Sequence, residues 1–253
     1  MLKNEEITAR MGKSIIIVLL CFCIGIQLNA QTNHSEESWW DYLNQNRYTE
    51  HWGSWIDLQS KRKENYVDVI NANEYTLGAS YFQNTRFKYT AALTYVDNYM
   101  GTGNTYHIGE YRPWQQIQLS TSARKSKWVQ WIRLEERFKE TAINNAPSGR
   151  FDFNYRLRYF ILGQFPMFGH AYDKGSISFV SSEELYLNFG KNIVYNTFDQ
   201  NRFFLGIYYY LNKENILQLG YTNMFQKYNL PNKYLNADVL RISLFNNIDF
   251  RRH

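Results

Sequence analysis

The sequence is poor in the features that usually give a small protein away. It has only 4 proline and 2 cysteine residues in 253. So little proline, with 44% hydrophobic and 18% aromatic residues, excludes a disordered or low-complexity chain. Both cysteines, Cys21 and Cys23, lie near the start, so the rest of the chain has no disulfide and must be held by packing and strand pairing. Charge of one sign is lacking too: 28 basic against 23 acidic residues give a formal net charge of +5. That balance makes no basic stripe for nucleic acid. After residue 30 there is no apolar run long enough for a transmembrane helix. The length fits one domain.

What is present begins with an export pattern. Lys3, Arg10 and Lys13 precede an apolar stretch from Ile15 to Ile26, and Leu28-Asn29-Ala30 offers a small residue for cleavage before Gln31. This order of basic, apolar and small residues reads as a cleaved secretory signal peptide over residues 1–30, with Met11 as an alternative start. Neither cysteine follows the small residue that a lipoprotein signal needs. Residues 31–253 read as one domain with 25 basic and 21 acidic side chains.

The dominant signal in that domain has period two. Phe151, Phe153, Tyr155, Leu157, Tyr159 and Ile161 share one parity, and Asp152, Asn154, Arg156 and Arg158 share the other. Successive side chains of a strand point to opposite faces, so such a segment is apolar on one face and charged on the other. The split recurs in ten segments near 52–62, 73–82, 86–97, 108–122, 127–139, 150–162, 176–188, 201–211, 215–225 and 237–250. It slips around Ser181 to Glu184, where a bulge is expected. A segment near 39–48 is an eleventh candidate, expected either as an extension of the barrel or as part of a twelve-strand one.

Short turns at 83–86, 124–126 and 212–214 alternate with longer polar connections at 100–107, 140–149, 189–200 and 226–236, although 164–174 is long where a short turn is due. Strands of about ten residues and alternating connection lengths match an outer-membrane barrel. Trp52, Trp55, Tyr95, Tyr99, Tyr111, Trp114, Trp128, Trp131, Tyr159, Tyr195 and Tyr221 lie near strand ends, the place for headgroup-level aromatics. The expected fold is therefore all-β: an antiparallel up-and-down transmembrane β-barrel of ten strands, or twelve, with a polar lumen. A soluble lipocalin-like barrel needs the opposite arrangement of faces.

Several segments also resemble a known family. They are Trp55-Ile56-Asp57-Leu58-Gln59, Glu110 to Gln116, Trp131 to Phe138, Phe153 to Tyr159 and Phe198 to Phe204. They are similar to domain-of-unknown-function family 2490, which resembles outer-membrane barrels of Gram-negative bacteria. The resemblance covers nearly all of the chain after the leader. It implies location and architecture and transfers no catalytic residue.

The candidate site is the charged face of the central strands: Glu110, Arg112, Arg133, Glu135, Arg137, Asp152, Arg156, Arg158, Glu184 and Arg202. Arginine beside carboxylate satisfies both groups in a narrow lumen, and the arginine excess would suit a small anionic solute. The expected function is a structural or transport/channel-type outer-membrane barrel; an outer-membrane lipid-modifying hydrolase or a soluble lipocalin-like binding barrel is the alternative. His51 and Ser54 differ in parity, His107 has no serine two residues away and His170 lies in a turn, so no catalytic residue is assigned. No metal-ligand spacing and no phosphate-cradling loop occurs, so no cofactor or metal is expected. The expected partners are outer-membrane lipid, the export and barrel-assembly machinery and a small anionic solute, with no nucleic acid.

Overall fold

A computed structural model describes residues 31–251 except 102, 124, 170 and 171. The expected leader lies outside the described residues, as do Cys21, Cys23, His170 and His253. Eleven strands follow one another: β1 (Gln31–Arg47), β2 (Trp52–Lys63), β3 (Val69–Phe82), β4 (Phe87–Met100), β5 (Tyr106–Ala123), β6 (Ser126–Ile143), β7 (Ala146–Phe168), β8 (Ile177–Phe189), β9 (Phe198–Tyr210), β10 (Asn215–Lys227) and β11 (Lys233–Asp249). They form a closed barrel in sequence order, with β1 beside β11. The described residues contain no helix.

The count corrects the expected ten or twelve. The 39–48 segment is neither an extension nor half of an added pair; it belongs to β1, which pairs antiparallel with β2 from Glu37↔Lys63 to Arg47↔Gly53. Every pair of strands adjacent in sequence is antiparallel, and an odd number then forces the closing pair to run parallel. The side chains at that seam agree. Asp41 meets Arg241 and Ser243, Asn44 meets Asn246, and the Arg47 carbonyl accepts from the Phe250 amide. Residue numbers thus rise together along β1 and β11.

The seam carries its own lateral bonding. On the outer face the Asn246 amide donates to Asn215 at 2.7 Å, the Asn44 amide to Asn246 at 2.6 Å, and the Asn46 amide to Asn44 at 2.7 Å and Ser54 at 3.1 Å. This ladder ties β10, β11, β1 and β2 together beyond their backbone bonds. Inside, Trp39 packs with Met224, Ala237 and Val239.

Alternation decides which face turns inward. In β8 it is unbroken: Ser178, Val180, Ser182, Glu184, Tyr186 and Asn188 are buried. The slip expected at Ser181–Glu184 is therefore not a bulge. Ser181 and Glu183 are polar side chains on the outer face, where Glu183 accepts from Asn201. The register shift of β8 against β9 falls later, at Tyr186/Leu187. At one point the barrel wall is thin: Gly206 and Gly220 are paired and inward, with the Phe204 ring over them. A Cβ on Gly220 would stand 2.4 Å from the Leu205 carbonyl oxygen and 2.5 Å from that ring, so neither backbone nor ring leaves room for one.

Outward residues fall into three bands. Leu58, Leu77, Leu93, Ile117, Ile132, Leu205 and Leu219 form an aliphatic middle; Leu77 is 68% exposed and Ile117 54%, so these side chains have no protein partner to bury them. One rim carries the connections 48–51, 83–86, 124–125, 169–176 and 211–214; we call it the lower rim. The upper rim carries 64–68, 101–105, 144–145, 190–197 and 228–232. Near the lower rim Trp52 contacts Tyr81, Tyr81 contacts Tyr89, and Trp128 contacts Phe165, which contacts Phe179. Near the upper rim Tyr95, Tyr111 and Phe151 adjoin in turn, as do Phe138, Phe153, Tyr155 and Phe189. Connection length does not separate the rims as expected. Strands run on into the polar stretches, notably β6 and β7, and the longest connections, 169–176 and 190–197, lie at opposite rims.

Candidate functional site in the lumen

The inward faces enclose a cavity of about 770 Å³, bordered by residues from Lys213 and Asn247 near the lower rim to Asn98 and Lys139 near the upper. Its upper half is crossed by one continuous chain of ion pairs. Lys61 on β2 pairs with Glu74 on β3, which Arg112 on β5 reaches at 3.5 Å. Arg112 Nε donates to Glu110 at 2.5 Å, and Arg137 Nε on β6 donates to the same carboxylate at 2.6 Å. Arg137 lies 4.0 Å from Asp199 on β9, and Arg156 on β7 meets Asp199 at 3.3 Å. Arg156 also pairs with Glu135 at 2.5 Å, Arg158 pairs with Glu135 at 2.6 Å, and Arg158 ends on Glu184 at 2.5 Å.

Cation and carboxylate alternate along this chain without a break, so it is neutral in itself. Glu110 and Glu135 are both 1% exposed. Buried charges of this kind are held only because every partner is present. Arginine suits the task, since its planar fork binds two acceptors at once. Aromatic rings take the remaining faces. Tyr186, fully buried, has Arg158 at 4.5 Å, Arg202 at 4.7 Å and Arg156 at 5.2 Å from its centroid. Arg202 lies also over Trp39 at 4.5 Å, which carries the cluster across to the seam.

Nine of the ten candidate residues therefore border the lumen. Asp152 does not join them. It lies on the extended β6–β7 hairpin above the barrel, exposed, and accepts from Asn192 at 3.3 Å. The strands run on past the last lumen-facing layer there, so parity alone misleads. Arg133 lies apart from the chain: its closest carboxylate contact is Glu135 at 3.9 Å, and it hydrogen-bonds instead to Gln116 Oε1 at 2.9 and 2.7 Å.

Sequence reasoning missed Lys61, Glu74, Asp199 and Tyr186. Lys61 shares the inward parity of Asp57 on β2, and Glu74, opposite Gln59, that of Thr76 on β3, so both were legible; Asp199 lay in what read as a loop. Three tryptophans expected at the rims, Trp55, Trp114 and Trp131, are inward instead. Trp114 Nε1 donates to Thr94 at 3.0 Å, and Arg133 lies 3.7 Å from the Trp114 ring and 4.9 Å from Trp131. Part of the lumen wall is also apolar, where Leu162, Val180 and Phe204 pack with Val129, Phe160 and Tyr208.

No group of three metal-binding side chains occurs among the described residues. His51 Nδ1 lies 2.9 Å from the Phe82 carbonyl oxygen, and His107 Nδ1 lies 2.6 Å from Asp97 on the outer face. Neither contact engages a serine.

These features define a class: an eleven-stranded closed β-barrel, charged within and apolar without. The model of the family described as "Protein of unknown function (DUF2490)" matches residues 36–234, and the chain belongs to that family. Neither a curated protein nor a solved structure matches the chain.

Proposed function

We propose that the protein is exported, loses residues 1–30 as a signal peptide, and spans the outer membrane of a Gram-negative bacterium as a channel-type barrel. Its lumen is narrowed by the ion-pair chain and passes small solutes only, with anions preferred. The observation that carries this reading is the distribution of faces: aliphatic side chains in a middle band, aromatic side chains at both rims, and charges within. That order fits a hydrocarbon layer bounded by two headgroup levels. A soluble barrel with Leu77 and Ile117 outward and Glu110 and Glu135 inward would have both faces in the wrong solvent. Outer-membrane lipid and the export and assembly machinery are the partners this reading requires. The inward cations outside the neutral chain, Lys88, Lys127 and Arg133, favour anions over cations.

The test is fractionation and migration. The reading expects the protein in the outer-membrane fraction after alkaline washing, with an electrophoretic mobility that changes on boiling. Recovery in the soluble periplasm, with the same mobility boiled or unboiled, would contradict it.

A further inference from the structure

The lower half of the lumen differs in chemistry from the upper. Lys88, near the lower-rim start of β4, Lys127, near the lower-rim start of β6, and Arg133 all border the cavity and stand outside the neutral ion-pair chain. Lys88 Nζ donates to Gln45 Oε1 at 2.5 Å and lies 4.8 Å from the Trp55 ring centroid. Arg133 donates both its hydrogen bonds to the neutral Gln116 Oε1 and has its faces on Trp114 and Trp131. The nearby carboxylate on β2, Asp57, accepts from Gln59 Nε2 at 3.2 and 3.1 Å instead.

Acceptors are scarce in the same place. Gln116 Nε2 and Trp55 Nε1 are buried donors with no acceptor among the described residues. Gln116 is 2% exposed and Trp55 7%, and each touches one of the cations. Lys88, Lys127, Arg133 and Lys213 and two unmatched donors stand against Asp57 and, 3.9 Å from Arg133, Glu135 of the ion-pair chain, which leaves this half short of negative charge and of lone pairs. A confined cation without a counter-charge is costly, and a charged acceptor relieves both deficits together.

We infer that the lower lumen holds a binding site for a small doubly charged oxyanion, of the phosphate or dicarboxylate kind, contacted by Lys88, Lys127 and Arg133. The ring of Trp55 holds Lys88 and those of Trp114 and Trp131 hold Arg133, while the unmatched Trp55 Nε1–H and Gln116 Nε2–H are further donors for the ligand. The site rests on the proposed reading of the lumen as open to solutes.

Inorganic phosphate is the probe, added to the purified full chain in detergent and followed by calorimetry and by tryptophan fluorescence. Saturable binding is expected, weakened about tenfold or more in each of Lys88→Gln and Lys127→Gln. Lys191→Gln, on the 190–197 connection, should leave it unchanged. Boil-sensitive mobility of each variant shows that it has folded. Absence of saturable binding, or binding that both lumen variants retain at full strength, overturns the site. Fractionation is read separately, so an outer-membrane barrel that ignores phosphate refutes the site alone, and a soluble protein refutes the membrane reading.

Discussion

Glu135 shows what a single residue must do here. It is 1% exposed and answers two guanidinium groups, Arg156 and Arg158. Glu135→Leu leaves both cations buried beside a gap in the alternating chain. Breaking such a pair typically costs about 3–5 kcal/mol. The variant is expected to lose its folded mobility at a clearly lower temperature than the parent, whereas Lys191→Ala, exposed on a connection, should not shift it. Equal transition temperatures would refute a chain held by mutual neutralisation. Arg133→Leu should cost less than Glu135→Leu, because Arg133 answers a neutral amide rather than completing the chain. The two residues share a face and a strand, and only the geometry of their partners separates them.

At the scale of elements, the parallel seam is the unusual part, since single-chain bacterial outer-membrane barrels have even strand numbers. Without β1, β11 and β2 run antiparallel and would close a ten-strand barrel. Instead β1 lies between them, held by β2 on one side and by the asparagine ladder and Trp39 on the other. The double variant Asn44→Cys/Asn246→Cys tests this directly. After residue 30 the chain has no cysteine of its own. Oxidation is expected to link residues 44 and 246 within one chain, seen as faster migration of the unfolded, unreduced protein. Failure to cross-link, with folding intact, would indicate a ten-strand closure. The sequence left the place of β1 open for a physical reason: from Asp41 to Arg47 both faces are largely polar. Outward Asn44 and Asn46 bond sideways along the sheet, so they do not show the apolar parity that marks β7 or β9. The other strands were legible because an apolar outer face against a polar inner one leaves period two in the residues themselves.

At the scale of the whole molecule, alternation revealed the two faces but not their content. Glu110, Arg112, Arg156 and Glu184 could be assigned to one face from parity, yet their order in the ion-pair chain depends on strand tilt and register. Those bring Asp199 of β9 to Arg156 of β7 and Arg202 of β9 to Trp39 of β1. Aromatic residues were the least legible: a tryptophan near a strand end suits a headgroup level or a lumen equally well, and parity alone puts Trp55, Trp114 and Trp131 inside. The central claim is that the apolar face meets lipid while the charged face meets the lumen. Single cysteines at Leu205, Ile207 and Leu219 outside, and at Ser182 and Gln218 inside, labelled with a small fluorophore in vesicles containing brominated lipid, test it most directly. Strong quenching at 205, 207 and 219, with little at 182 and 218, is the expected result. Equal or reversed quenching across the two faces would contradict it.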